Sequence, residues 1–104
     1  MATVGFLHVA AEHVREARRL LADHAPGVVD VHLVDRTLLR PGPDIATRVA
    51  ARVGELVGRD VDAVVCTWPY LTDLVVRVAR ERGIAALGVE ELVAPAGGVL
   101  ALSR

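Results

Sequence analysis

Two short segments, TVGFLHV at residues 3 to 9 and VDAVVCT at 61 to 67, constrain the fold most, because apolar residues follow one another instead of alternating with polar ones. Such a run suits a strand covered on both faces, as the central strands of parallel sheets are. Helical periodicity follows each. After the first, AEHVREARRLLADH places Val14, Ala17, Leu20 and Leu21 on one face, and the Ala-Pro-Gly at 25 to 27 ends it. After the second, Pro69 suits a first helical position, where its missing N–H is not needed, and Leu71, Leu74, Val75, Val78 and Ala79 form the apolar stripe. Arg77, Arg80 and Arg82 lie outward near the end of that helix, against the negative pole of its dipole, and Gly83 is the expected cap.

The remaining segments continue the alternation. VVDVHLV at 28 to 34 sets Val29, Val31 and Leu33 against Asp30, His32 and Val34, a two-faced pattern expected of an edge strand. DRTLLRPGP reads as a loop with an apolar plug at Leu38 and Leu39. Pro43 and Asp44 then open a helix with the stripe Ile45, Val49, Val53, Leu56 and Val57. IAALGV is a fourth strand. GGVLALS reads as a fifth, but EELVAPA is too short for a parallel crossover, so this strand is expected antiparallel to the fourth or outside the sheet. The expectation is one α/β domain over residues 1–104, a three-layer flavodoxin-like sandwich with a mainly parallel sheet of four to five strands in an order near 2-1-3-4. Ligands of such sheets bind beyond the carboxyl ends of the strands where the order reverses. That point gathers His8 to Ala11 and Cys66 to Tyr70, with Asp35 to Thr37 nearby.

Composition narrows the function classes. Twelve basic residues, all Arg, face thirteen acidic ones and are spread along helix faces, so no nucleic-acid footprint is present. The single cysteine forms no internal disulfide. The start MATVGFLHVA lacks the basic flank and long apolar core of a signal peptide, and no run is long enough to span a membrane, so a cytoplasmic location is expected. There is no Gly-rich or hydroxyl-rich loop for a flavin phosphate and no acidic cluster after strand one, which leaves a flavodoxin-type carrier or phosphorylated regulator unsupported. No cofactor is expected.

Three stretches, VGFLHVAAEHV at 4 to 14, VHLVDRTLL at 31 to 39 and VAARVGELVGRDVDAVVCTWPYLTDLV at 49 to 75, resemble the aspartate, glutamate and hydantoin racemase superfamily in the order and spacing of their elements. Members of that superfamily have two similar α/β halves about a pseudo-twofold axis, with the active site between them; this chain is similar to one half. The resemblance implies cofactor-independent chemistry, in which one thiolate removes a proton from the carbon beside a carboxylate and an opposing thiol returns one. One register gives the thiol to Cys66, with Thr67 as its hydroxyl neighbour. A second register, matching a Cys-Thr-Cys-Ser pattern, puts Trp68 at the working thiol and Pro69 after it, and an indole cannot shuttle a proton from carbon. A homodimer would place two copies of Cys66 across one cleft. The N-terminal N–H groups near Trp68 to Leu71 would hold the carboxylate and lower the thiol pKa.

Two functions remain open on this reading. The first is a dimeric racemase-like domain that binds a small carboxylate metabolite and transfers protons through Cys66. The second is a binding or interaction subunit that keeps the fold without the chemistry. Cys66 is equally a small buried hydrophobe, and His8 a histidine satisfied by the backbone. Thr67 caps the third helix or meets a ligand oxygen. Trp68 and Tyr70 form a lid over the pocket or part of a dimer interface. Asp35 caps its loop. His13, His24 and His32 fall on different elements without metal-ligand spacing and read as solvated, and the Arg residues read as a solvated face.

Overall fold

The computed structural model describes residues 2–92; the strand expected at 97 to 103 lies outside them. Four strands, β1 (Thr3–His8), β2 (Val29–Val34), β3 (Ala63–Cys66) and β4 (Ala85–Gly88), form one sheet in the order β2-β1-β3-β4. All neighbours are parallel, with Leu7 opposite both Leu33 and Cys66, and Cys66 opposite Gly88. The helices are α1 (Glu12–His24), α2 (Ile45–Val57), α3 (Thr72–Glu81) and the single turn α4 (Val89–Leu92). The architecture is a flavodoxin-like three-layer sandwich, as the alternation of strand and helix patterns predicts.

Side chains alternate across a strand, so each strand supplies two cores. Leu7, Val9, Val64 and Cys66 point to one face and meet Val49, Val53 and Leu56 of α2 and Val75, Val78 and Ala79 of α3. Val4, Phe6, Ala63 and Val65 point to the other and meet Ala17 and Leu21 of α1. Full burial at successive positions of β1 and β3 explains why their sequences do not alternate. The edge strand β2 does alternate. Val31 and Leu33 join the α2–α3 core, which leaves Asp30 and His32 on the α1 face.

Two glycines fit this packing for different reasons. A Cβ on Gly5 would come within 3.0 Å of Val61 and 3.1 Å of Leu56, so the missing side chain lets α2 and its following turn close on β1. Gly83 has φ +72°, and the Gly83 and Ile84 N–H groups donate to the Arg80 and Ala79 carbonyls, a Schellman ending that satisfies two orphan carbonyls of α3. The segment after β2 has more order than a loop. Asp35 accepts from the Thr37 N–H at 2.9 Å and starts a 3₁₀ turn over Arg36–Leu39, with Leu38 buried as its plug and Leu39 exposed. Arg48 is not a solvated residue as its charge suggests. It reaches back from α2 and donates to the Thr37 and Arg40 carbonyls at 2.6 and 2.8 Å, tying this segment down.

Candidate functional site

The chain leaves β1 to build β2 on one side, then crosses back to build β3 on the other. The order therefore reverses between β1 and β3, and their carboxyl ends carry His8 and, one residue past β3, Thr67.

His8 is completely buried, yet both ring nitrogens have partners. Its Nδ1 lies 2.7 Å from the Thr67 hydroxyl and its Nε2 lies 2.8 Å from Nδ1 of His32. Nε2 of His32 lies 2.5 Å from a carboxylate oxygen of Asp30, whose same oxygen faces Arg18 of α1 at 3.6 Å. The result is a continuous polar line across three strands: Thr67, His8, His32, Asp30. Phe6 flanks it, its ring nearly parallel to those of His8 and His32 at 5.7 and 4.9 Å between centroids. Burial, then the neighbouring His32 and His13, hold the His8 imidazole down at about 4, so it is neutral near pH 7. Burial pulls the Asp30 carboxyl up, but the hydrogen-bonded contact with His32, aided by Arg18, outweighs it and leaves its pKa below the usual carboxylate value.

The shorter of the Thr67 hydroxyl's two contacts, 2.7 Å to His8 against 3.3 Å to the Leu7 carbonyl, sets where its proton lies, and proton counting then gives the polarity of the rest of the line. An ionised carboxylate only accepts, and a neutral imidazole has one donor and one acceptor nitrogen. Each of the three contacts is short enough to need one proton, so the line holds three, one on Thr67 and one on each ring beside an ionised Asp30. His32 therefore donates from Nε2 to Asp30, His8 donates from Nε2 to His32, and Thr67 donates to Nδ1 of His8. The Leu7 carbonyl, 3.3 Å from the Thr67 oxygen, is the competing acceptor.

Cys66 faces away from this line, into the α2–α3 core, and is 1% exposed. Its Sγ donates to the Trp68 carbonyl at 3.3 Å. Burial pushes its thiol pKa up, against the smaller opposing pull of hydrogen bonds from the Trp68 backbone and the Thr72 side chain. The expected lowering by a helix dipole is thus overturned by desolvation. The expected row of free N–H groups is also shortened. Pro69 has none, and Leu71 donates to the Trp68 carbonyl within a 3₁₀ turn, Pro69–Leu71, that precedes α3. Thr67 is not a helix cap: Trp68 holds the cap position of the 3₁₀ turn and Leu71 that of α3, and the Thr67 hydroxyl serves His8.

Trp68 is half-buried, packed against the α2–α3 core and stacked on His13 of α1 with ring centroids 6.0 Å apart. The indole thus links both helical layers across the carboxyl end of the sheet. Tyr70, 85% exposed, leans on it at 5.3 Å. His13 is half-buried, not solvated, and its Nδ1 is closed off with no hydrogen-bond partner among the described residues. His32 is likewise enclosed, its side chain 9% exposed, whereas His24 is exposed as expected.

The sequence reading missed Asp30 and His32 as site residues. Their signal was present in the alternation of strand two, which sets both on one face, and in the apolar Phe6 and buried His8 on the neighbouring strand. What was missing was the register, which pairs Phe6 with His32 and places the two imidazoles side by side. Among the described residues, no group of three or more His, Cys, Asp or Glu is arranged to hold a metal ion, and no helix is long and apolar enough to cross a membrane. No protein-family model, curated protein or solved structure matches the chain.

Proposed function

We propose that this chain is a racemase-like binding domain that takes a small carboxylate-bearing metabolite at the carboxyl ends of β1 and β3 and does so without cysteine chemistry. The observation that carries the reading is the Thr67 hydroxyl, half-buried at the switch point and backed by a chain of imidazoles that can change which way it points. The unpartnered Nδ1 of His13 adds a second polar atom beside the same indole. A thiolate step through Cys66 is disfavoured because the sulfur is enclosed and its pKa is raised.

A homodimer belongs to this proposal. Tyr70 and the exposed part of Trp68 rim the switch point, and aromatic residues of this kind concentrate in interfaces. A twofold partner there would complete the cleft that the resemblance assigns to two halves.

The test is an NMR titration of the protein with acetate, succinate and aspartate, read at the backbone amides of residues 8, 13 and 67. Saturable shifts centred there, abolished in Thr67→Val and retained in Cys66→Ala, are expected. Binding lost in Cys66→Ala with the fold intact would restore the thiol reading. An absence of shifts with all three acids would reject the carboxylate site.

A further inference from the structure

We infer that a carboxylate bound at the Thr67 hydroxyl is taken up together with one proton, which the protein stores on the His32–Asp30 pair at the opposite end of the line. The inference rests on the carboxylate reading above and adds the coupling.

Proton parity couples the two events. A carboxylate has no proton to give, so the Thr67 hydroxyl must donate to it. That removes the proton that occupied the Thr67–His8 contact. At 2.7 Å two facing lone pairs repel, so Nδ1 of His8 must now carry the proton and donate to the Thr67 oxygen. A neutral His8 then presents a bare Nε2 to His32 at 2.8 Å, and His32 must donate from Nδ1 while keeping Nε2–H on Asp30. His32 is therefore an imidazolium beside the Asp30 carboxylate. The balance is one ligand anion and one solvent proton taken up, with no bond formed or broken beyond those to hydrogen. The Thr67 proton turns to the ligand, His8 exchanges Nε2–H for Nδ1–H without becoming charged, and His32 keeps Nε2–H and gains Nδ1–H.

The surroundings suit this division of roles. His8, completely buried, stays neutral in both states, and the added charge falls on His32, which touches a carboxylate. The groups facing the line are Asp30 and His32 from β2, Thr67 from the end of β3, and His13 and Arg18 from α1. Arg18 opposes the added proton, but it is 67% exposed and therefore screened, while Asp30 is in direct contact. The proton also has a route that avoids the ligand. Asp30 lies on the edge strand, 32% exposed, and borders a cleft of about 370 Å³ that Arg18 and Leu21 also line.

The test measures acetate affinity by NMR at the Thr67 amide of the intact protein, at several values between about pH 6 and 8 where acetate stays ionised. Uptake of one proton predicts that affinity falls about tenfold per pH unit once the free line is unprotonated. Calorimetric titration in two buffers of different ionisation enthalpy should report one proton taken up per acetate in that range. Binding at the Thr67 amide with pH-independent affinity and no proton uptake would overturn the coupling and leave the carboxylate site standing. No binding at any pH would overturn both.

Discussion

Acid should destabilise this fold through one residue, His8. The pKa of this imidazole drops from 6.5 to about 4 on folding, through burial first and the neighbouring His32 and His13 second. A depressed pKa means the unfolded chain binds the proton more tightly, so stability is fully present above the unfolded value and is lost as pH falls toward the folded one. With values of 6.5 and about 4, the loss relative to pH 7 is about 2 kcal/mol by pH 5 and about 3 kcal/mol by pH 4. Against the roughly 5–15 kcal/mol of an ordinary domain, this is a large fraction. Asp30 does not contribute in that window, because its depressed carboxyl loses stability only at lower pH. Urea denaturation at pH 7, 5 and 4, on the wild type and on His8→Asn, measures the effect. The variant starts less stable, since it breaks two hydrogen bonds, but its stability should fall by about 2 kcal/mol less than the wild type between pH 7 and 5. Parallel losses in the two proteins would refute the claim that His8 is held neutral in the folded state.

Other consequences follow from packing and local geometry. Leu56 is fully buried against Gly5 and the sheet, so Leu56→Ala should cost about 2–5 kcal/mol in chemical denaturation with an unchanged m-value. Gly83→Ala places a Cβ at φ +72° and should lower stability by about 1 kcal/mol with no change in fold by circular dichroism. Arg48→Ala removes the donors to the Thr37 and Arg40 carbonyls and should speed amide hydrogen exchange in residues 36 to 44 while leaving α3 protected. Cys66 should react with iodoacetamide at neutral pH at least about 100-fold more slowly in the folded protein than in urea, because the sulfur is enclosed and its pKa is raised.

The sheet was readable from the sequence because burial on both faces and alternation on one face leave different traces. TVGFLHV and VDAVVCT marked the central strands and VVDVHLV an edge, which leaves the orders 2-1-3-4 and 2-3-1-4, and the tendency of consecutive strands to lie side by side favours the first, which the structure adopts. The position of the switch point followed from that order. The polar line did not, because it depends on which residues of two parallel strands stand opposite each other, and nothing local in a run of apolar residues fixes register to one residue. Cys66 illustrates the same limit from the other side. Its place at the end of β3 was legible, but whether its side chain faced the cleft or the α2–α3 core depended on the phase of the alternation. That phase sends Val64 and Cys66 to one face and Val65 to the other. The environment that raises the thiol pKa is made by α2 and α3 together, so no single stretch of sequence announces it.

The proposed coupling depends on the proton arrangement along Thr67, His8, His32 and Asp30, and the tautomers of the two histidines report that arrangement. Long-range nitrogen–proton correlation NMR on the ligand-free protein near pH 7 should find both rings neutral, His8 protonated at Nε2 and bare at Nδ1, and His32 protonated at Nε2 and bare at Nδ1. A neutral His8 protonated at Nδ1 in the free protein under the same conditions would contradict the account. The Thr67 hydroxyl would then already be released from His8, and no proton would need to enter with a carboxylate.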